Sequence, residues 1–261
     1  MLEIRNVSKT FNKGTANEKM IFPHLNLTVN DGDFITIIGS NGAGKSTLFN
    51  LIGGSEFPDS GQIFLDGENL TFVESHIRSK KIGRLFQDPK LGTAGNMSIE
   101  ENLALASKGG KWLSVITKKD REEYRRRLAT LEMGLEERLK QPVGLLSGGQ
   151  RQALTLLMAT YSPPQLLLLD EHTAALDPKA AEQVIKITED VVQKDKLTCL
   201  MITHDMKMAL SVGNRTIMMR GGEIVVDVSG RERSRLTVED LLTLFKEASG
   251  KALSDEKILL G

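Results

Sequence analysis

The sequence predicts an α/β fold with a mainly parallel sheet, an antiparallel β subdomain and an inserted helical subdomain. Two largely apolar runs, residues 165–169 and 197–202, are typical of strands buried on both faces, and a helical pattern at 180–194 separates them. This strand–helix–strand order favours parallel strands with a right-handed crossover. Between about residues 88 and 160 the pattern changes to helical periods with charged faces, which predicts the inserted subdomain.

The remaining elements follow from local patterns. Alternating apolar residues at 25–29 indicate a strand, and the apolar run 34–38 leads into a glycine-rich loop. Apolar spacing within the densely charged segment 121–138 indicates a helix. Further strands are predicted at 2–7, 62–65 and 82–86, a hairpin at 216–226, and helices at 45–52, 148–161 and 238–245.

These patterns predict three parts of the chain. The α/β core with its antiparallel β subdomain comprises residues 1–87 and 161–230. The helical subdomain comprises residues 88–160, and a short helical tail comprises residues 231–261.

Composition argues against several classes of protein. The 34 basic and 34 acidic side chains balance, so nothing indicates electrostatic binding of nucleic acid. Cys199 is the only cysteine, which excludes an intrachain disulfide and fits a reducing cytosol; its apolar neighbours predict a buried side chain. The sequence contains no apolar run of about 18 residues, the length that would indicate a membrane span. The N-terminal segment lacks the apolar core of a signal peptide.

The most specific motif is the glycine-rich loop at residues 39–46, which we call the phosphate loop. It has the form G-x-x-x-x-G-K-S between a predicted strand and a predicted helix, the context that phosphate binding requires. Lys45 is predicted to contact the β- and γ-phosphates, Ser46 to bind Mg²⁺, and Thr47 to lie near the α-phosphate. The other residues predicted to surround the phosphates are Gly39, Ser40, Asn41, Gly42, Ala43 and Gly44.

Two carboxylates end the apolar run at 165–169. Parallel α/β sheets bind ligands at the carboxyl ends of their strands, so Asp170 is predicted to hold Mg²⁺, directly or through water. Glu171 is predicted to orient or deprotonate the attacking water, a role typically worth ~10²–10⁴-fold in rate. Taken alone, the pair is also compatible with a strand end in a solvated turn, and the phosphate loop favours the catalytic interpretation.

A second glycine-rich segment, Leu146-Ser147-Gly148-Gly149-Gln150, precedes a predicted helix; we call it the serine–glycine loop. Its hydroxyl and the N–H groups of the helix N-terminus are suited to an anion. Taken alone, the segment is also compatible with an ordinary helix cap.

The order and spacing of these motifs resemble the nucleotide-binding subunits of ATP-binding cassette (ABC) transporters over roughly residues 2–227. The resemblance implies a P-loop NTPase core that binds ATP and Mg²⁺. It also implies that two subunits pair head-to-tail, so that each serine–glycine loop, the family's signature, closes on the partner's ATP. Four further residues match family positions: Phe11 the adenine platform, Gln87 the loop that senses Mg²⁺ and the γ-phosphate, Asp177 the aspartate loop, and His204 the switch histidine.

Two positions depart from the family pattern. His172 stands where proline commonly follows the catalytic glutamate, and the helix after the serine–glycine loop lacks a second arginine that is common there. We expect His172 to be a solvated turn residue, with tuning of the subunit interface as the alternative. The variant resembles an importer subgroup linked with amino-acid uptake, aromatic amino acids among them.

The sequence therefore predicts the ATPase subunit of an importer, peripheral at the cytoplasmic face of the membrane. Its predicted partners are a second copy, an integral membrane permease and, indirectly, an extracellular or periplasmic substrate-binding protein. The main alternative is a soluble ATPase of the same superfamily, acting in iron–sulfur assembly or another non-transport process. A third hypothesis is a nucleotide-binding module that does not hydrolyse ATP. The presence of Lys45, Glu171 and His204, which are predicted to act in hydrolysis, argues against it.

Overall fold

The computed structural model describes residues 1–107 and 115–248. The chain divides into two compact units. The core unit comprises Met1–Ile82, Gln165–Asp170 and the chain from Lys196 onward, and the helical unit comprises Gly83–Pro164 and Glu171–Asp195. Of the predicted parts, residues 108–114 of the helical subdomain and 249–261 of the tail lie outside the described residues.

The described residues form both strands and helices, which confirms the predicted α/β class. The strands are β1 (Leu2–Phe11), β2 (Lys19–Val29), β3 (Phe34–Gly39), β4 (Ser60–Leu65), β5 (Glu68–Asn69), β6 (Ile82–Leu85), β7 (Leu166–Asp170), β8 (Cys199–Ile202), β9 (Arg215–Arg220) and β10 (Glu223–Ser229). The helices are α1 (Lys45–Gly53), α2 (Ser75–Arg78), α3 (Ile99–Ser107), α4 (Lys118–Ala129), α5 (Gly148–Ala159), α6 (Pro178–Asp195), α7 (Met206–Ser211), α8 (Gly230–Arg233) and α9 (Val238–Ala248). Within residues 1–107 and 115–248, no helix is long and apolar enough to cross a membrane.

The core unit contains an antiparallel sheet with the strand order β2–β1–β4–β5. Leu2 of β1 and Phe22 of β2 have no exposed surface, and Phe49 and Ile52 of α1 belong to the same apolar cluster. Complete burial of one such side chain contributes about 1.5–3 kcal/mol. Helix α1, which follows the phosphate loop, is therefore held in place by its packing in the apolar core of the core unit.

A second sheet has the order β10–β9–β3–β8–β7–β6, and β9, β3, β8 and β7 run parallel to one another. Residues 166–169 of β7 are completely buried, as their apolar run predicts. Asp170 pairs in register with Ile202, and Ile202 pairs with Ile37. Because these strands are parallel, the phosphate loop after β3, Asp170 at the end of β7 and His204 after β8 lie at the same edge of the sheet.

Two smaller predictions for the core unit are confirmed. Cys199 is completely buried in β8, and burial raises the pKa of its thiol well above the usual value. Strands β9 and β10 form the expected antiparallel hairpin.

One helix of the helical unit is shorter than its pattern predicts. Helix α4 ends at Ala129 and does not continue to residue 138. Glu132 (φ +53°) and Gly134 (φ +66°) adopt left-handed backbone conformations, which a right-handed helix excludes. Leu131 and Leu135 are nevertheless buried, so the apolar spacing there reflects an inward-facing loop.

Candidate active site

The phosphate loop joins β3 to α1 in the core unit. Gly44 is the N-cap residue of α1 and provides no side-chain cap, so the first N–H groups of the helix are available to an anion. Its φ is +102°, and a Cβ placed on it would lie 2.6 Å from Cε1 of Phe22. Position 44 therefore requires glycine for both its backbone conformation and its space.

Lys45 lies inside the phosphate loop and is only 8% exposed. Its Nζ donates hydrogen bonds to the carbonyl oxygens of Gly39 at 2.6 Å and Ser40 at 3.2 Å. These two carbonyl oxygens hold the positive charge of Lys45 inside the phosphate loop. The next residue, Ser46, is exposed on the first turn of α1, and Thr47 is half-buried.

A glycine turn between β9 and β10 supports the phosphate loop. The N–H of Gly222 donates to the carbonyl oxygen of Ala43 at 3.2 Å. A Cβ placed on Gly222 would lie 1.7 Å from the carbonyl oxygen of Ile21, so a side chain there would displace the backbone. The sequence pattern predicts only a hairpin turn here, because this contact joins residues that are far apart in the chain.

Phe11, the predicted adenine platform, ends β1 opposite Lys19 of β2. Its ring is half-buried, and Nζ of Lys9 lies 4.8 Å from the ring centroid. Nζ of Lys19 lies 3.8 Å from the position that a Cβ on Gly42 would take. Lys19 thus places a second lysine beside the phosphate loop, and the spacing of the motifs does not reveal it.

Three more predicted groups follow the ends of β7 and β8: Asp170 and His204 in the core unit, and Glu171, the first residue of a segment of the helical unit. Asp170 is half-buried at the end of β7, and the next residue, Glu171, has a φ of +45°. A non-glycine residue in this region costs about 1–3 kcal/mol, and such strain concentrates at functional sites. His204 is exposed two residues after β8, and the N–H of Thr203 between them donates to the Ile37 carbonyl oxygen at 3.1 Å.

The serine–glycine loop begins α5 in the helical unit. Oγ of Ser147 accepts a hydrogen bond from the N–H of Gln150, and the Ser147 N–H donates to Oε1 of Gln150, both at 3.3 Å. These two bonds form a capping box, which fixes the start of α5. Ser147 and Gly148 are exposed, so the first turn of α5 is accessible.

The structure brings the serine–glycine loop together with the start of α6 and the residues before it. A Cβ placed on Gly149 would lie 2.9 Å from Cβ of Ala180, and one on Gly148 would lie 3.0 Å from Cδ2 of Leu176. Oδ1 of Asp177 accepts the N–H of Ala180 at 3.1 Å and so caps α6. The predicted residues Ser147 and Asp177 therefore lie at the N-termini of two closely packed helices.

Gln87 is exposed two residues after β6, also in the helical unit. Nε2 of Gln152 donates to the carbonyl oxygen of Phe86 at 3.4 Å, and Nε of Arg151 donates to Oγ1 of Thr93 at 2.7 Å. Both donors belong to α5. The segment around Gln87 is thereby tied to the helix that begins with the serine–glycine loop.

The expectation that His172 is a solvated turn residue is wrong. His172 is 2% exposed, and its Nε2 lies 3.2 Å from Oγ1 of Thr188 on α6. Burial lowers the pKa of His172 to about 4, so its ring is neutral at neutral pH. A buried ring nitrogen needs a hydrogen-bond partner, and the partner here lies on the following helix, where no local pattern identifies it.

The oxygen donors at the sheet edge suit Mg²⁺. Ser46, which carries a hydroxyl, lies at the start of α1 after β3, and Asp170, which carries a carboxylate, ends β7 of the same sheet. Oxygen ligands of this kind, completed by substrate phosphates, are what Mg²⁺ prefers in nucleotide sites. No group of three or more His, Cys, Asp or Glu side chains in the described part of the chain is placed to hold a metal, so the phosphates would have to supply further ligands.

Comparisons with known proteins agree with this geometry. The family model described as ABC transporter matches residues 22–174. The chain is 44% identical to the "Tyrosine transport ATP-binding protein" of Clostridioides difficile (strain R20291), over 95% of this chain and 100% of that protein. It is 34% identical to the "Putative hemin import ATP-binding protein HrtA" of Staphylococcus haemolyticus (strain JCSC1435), over 85% and 98%.

Among solved structures, one similar chain is described as the "Dimeric structure of a post-hydrolysis state of the ATP-binding cassette MJ0796 bound to ADP and Pi". It superposes with a TM-score of 0.74 at 28% identity, over 88% of this chain and 98% of that one. The family model covers more than half of the chain, and the Clostridioides difficile relative aligns over its whole length. The chain therefore belongs to the ATP-binding subunits of the ABC transporter family and is an ATPase.

Proposed function

We propose that this chain is the ATP-hydrolysing subunit of a solute importer and that it works as a head-to-tail pair. One observation carries the proposal: the chain presents two helix N-termini suited to anions, the phosphate loop at α1 and the serine–glycine loop at α5, on two different compact units. ATP held by one copy's phosphate loop would be closed over by the partner's serine–glycine loop. A similar solved structure is described as dimeric, which supports the pairing.

The proposed reaction is transfer of the γ-phosphoryl group of ATP to water, which depends mainly on positioning and charge stabilisation. Lys45 and the N–H groups of the phosphate loop bind the β- and γ-phosphates, and His204 contacts the γ-phosphate. Glu171 accepts a proton from the attacking water while the water oxygen bonds to phosphorus and the bond to the ADP oxygen breaks. Ser46, Asp170 and Gln87 would hold Mg²⁺, which would supply positive charge to neutralise the phosphate oxygens.

The remaining residues link nucleotide binding to closure of the pair. Phe11 stacks on the adenine ring, and Asp177 lies at the interface beside the serine–glycine loop. Gln87 and the serine–glycine loop belong to one compact unit, and hydrogen bonds from α5 to Phe86 and Thr93 tie the segment around Gln87 to the helix that begins with that loop. Closure is the work stroke of this cycle, and hydrolysis resets it.

We infer that the transported solute is small and that an amino acid such as tyrosine is the first candidate. The relative named for tyrosine transport aligns along its whole length, and another relative is named for hemin import. Import requires an integral membrane permease, which would hold this chain at the cytoplasmic face of the membrane, and a substrate-binding protein that acts on the permease. Tagged chain purified from detergent-solubilised membranes should bring down an integral membrane protein; recovery of soluble assembly proteins alone would contradict the importer.

The head-to-tail pair can be tested by mixing two inactive variants. Lys45→Ala removes the phosphate contact, and Ser147→Arg blocks the accessible first turn of α5. Each variant alone should lack ATPase activity, because every site in its homodimer is damaged. In a mixed dimer one site receives the intact Lys45 of one chain and the intact Ser147 of the other. Equal amounts should therefore recover about a quarter of the wild-type activity, since half of the dimers are mixed and each has one of two sites.

A third variant provides the control for added bulk and charge. Ser234→Arg also places arginine at an exposed serine, but far from the motifs in sequence, and should keep normal activity alone. If the Lys45→Ala and Ser147→Arg mixture stays inactive while the control is active, two independent composite sites are excluded. Activity of Ser147→Arg by itself would remove the proposed role of the serine–glycine loop.

A further inference from the structure

His172 directly follows Glu171, the residue proposed to act on the attacking water, and occupies a different environment. Glu171 is half-buried, whereas His172 is almost completely enclosed. Nε2 of His172 lies 3.2 Å from Oγ1 of Thr188, which is completely buried on α6. All three residues belong to the helical unit.

The direction of this hydrogen bond follows from the second contact of Thr188. The Thr188 hydroxyl donates to the carbonyl oxygen of Val184 at 2.8 Å. A hydroxyl has one proton, so its oxygen can only accept from His172, and Nε2 must carry the hydrogen. His172 therefore donates from Nε2 and is anchored through Thr188 to the backbone of α6.

The backbone at Glu171 needs such an anchor. Its φ of +45° lies in the left-handed region, which a residue with a side chain occupies only when its surroundings impose it. On one side, Asp170 is held in strand β7. On the other side, His172 is held to α6, and the N–H of Ala174 donates to the Glu171 carbonyl oxygen at 3.0 Å.

We propose that His172 is a positioning residue for ATP hydrolysis: its hydrogen bond to Thr188 holds Glu171 in the conformation that presents the carboxylate to water. Thr188, which lies on α6, thereby becomes part of the positioning of the general base. The inference rests on the proposed role of Glu171.

Thr188 is the better residue to change, because replacing His172 would empty a buried site. Thr188→Val keeps the branched shape and removes the hydroxyl, and Thr188→Ser keeps the hydroxyl and removes a methyl group. ATP hydrolysis by the full chain should lose about tenfold in kcat in Thr188→Val with KM for ATP changed less than about twofold, because a misplaced general base affects the chemical step. Thr188→Ser should keep kcat within about twofold, although both variants lower the thermal unfolding temperature.

The pair of variants separates positioning from stability. If kcat falls equally in both, or follows the unfolding temperature, the hydrogen bond has no positioning role and the proposal is wrong. Normal kcat in Thr188→Val also overturns it. A nitrogen-15 spectrum of His172 should show the Nε2–H tautomer in the wild type, and the Nδ1–H tautomer there would contradict the assigned bond.

Glu171→Gln, measured in parallel, separates a failure of the proposed role of His172 from a failure of the proposed role of Glu171. If Glu171→Gln abolishes hydrolysis and Thr188→Val does not impair it, only the inference about His172 fails. If Glu171→Gln hydrolyses ATP normally, the role of Glu171 fails and the inference falls with it. In the Glu171→Gln background, Thr188→Val should cause no further loss of residual turnover, because its effect passes through the glutamate.

Discussion

The phosphate loop and the serine–glycine loop are both glycine-rich and both begin a helix, but their glycines serve different physical needs. Gly44 has a φ of +102°, which side-chain-bearing residues rarely adopt. Gly148 and Gly149 are ordinary helical residues of α5 with negative φ, and what they provide is space beside Leu176 and Ala180. The first loop thus needs glycine mainly for its backbone, and the second needs it for packing.

The two loops also differ in whether a side chain caps the helix that follows them. Helix α1 has no side-chain cap, so its first N–H groups can all turn to a ligand, and Lys45 adds a full charge among them. Helix α5 satisfies part of its N-terminus with its own capping box through Ser147 and Gln150. The N-terminus of α1 is therefore left without a side-chain cap, whereas α5 begins on a cap that its own residues have already formed.

The largest effect is expected for Gly44→Ala. The new Cβ would require a left-handed backbone and would lie 2.6 Å from the completely buried ring of Phe22. Strain and overpacking together should lower the free energy of unfolding by about 2–5 kcal/mol. ATP affinity should fall at least about tenfold, because the loop must open to relieve the contact. Denaturant unfolding and direct ATP titration measure the two quantities.

Gly67→Ala is the matched control for the backbone alone. Gly67 has a φ of +78°, but nothing lies within 4 Å of its added Cβ. Its unfolding free energy should fall by only about 1–2 kcal/mol, and its ATP affinity should stay normal. Equal losses of stability in the two variants would show that the Phe22 contact contributes nothing at position 44.

The sequence predicts the parts of the site that depend on neighbours in the chain. Patterns within about ten residues predict three of these parts: the phosphate loop, the apolar strand before Asp170 and the hairpin at 216–226. The structure contains the corresponding strands and helix. Contacts between distant segments are not predictable in this way. The support of Ala43 by Gly222, the placement of Lys19 beside the phosphate loop and the burial of His172 against Thr188 depend on the tertiary fold.

The charged segment 121–138 shows that a local pattern can predict burial correctly and backbone conformation incorrectly. Its apolar spacing predicts one helix, but α4 ends at Ala129. Leu131 and Leu135 keep the expected burial without the expected conformation, because left-handed residues at 132 and 134 turn the chain inward. Periodicity therefore predicts which side chains are buried, but it does not predict the residue at which the helix ends.

A smaller and different effect is expected for Gly149→Ala. Its Cβ would lie 2.9 Å from Cβ of Ala180, so α5 and α6 must separate slightly. Overpacking should cost about 1–3 kcal/mol, and the better helix propensity of alanine offsets up to about 1 kcal/mol of it. ATP binding by the single chain should be unchanged, because the phosphate loop belongs to the core unit. If the chain works as the proposed head-to-tail pair, ATP hydrolysis should fall, because the partner's serine–glycine loop would close on the ATP.

Ala180→Gly tests whether the effect of Gly149→Ala is packing. The double variant should be more stable than the sum of the single changes by at least about 1 kcal/mol, because removing the Ala180 methyl restores the space. Gly148→Ala is the milder comparison on the same helix, since the nearest atom to its Cβ is Cδ2 at the far end of the Leu176 side chain, at 3.0 Å. Additive losses in the double variant would exclude the Ala180 contact as the reason for glycine at position 149, and weakened ATP binding by Gly149→Ala would contradict an effect confined to the helical unit.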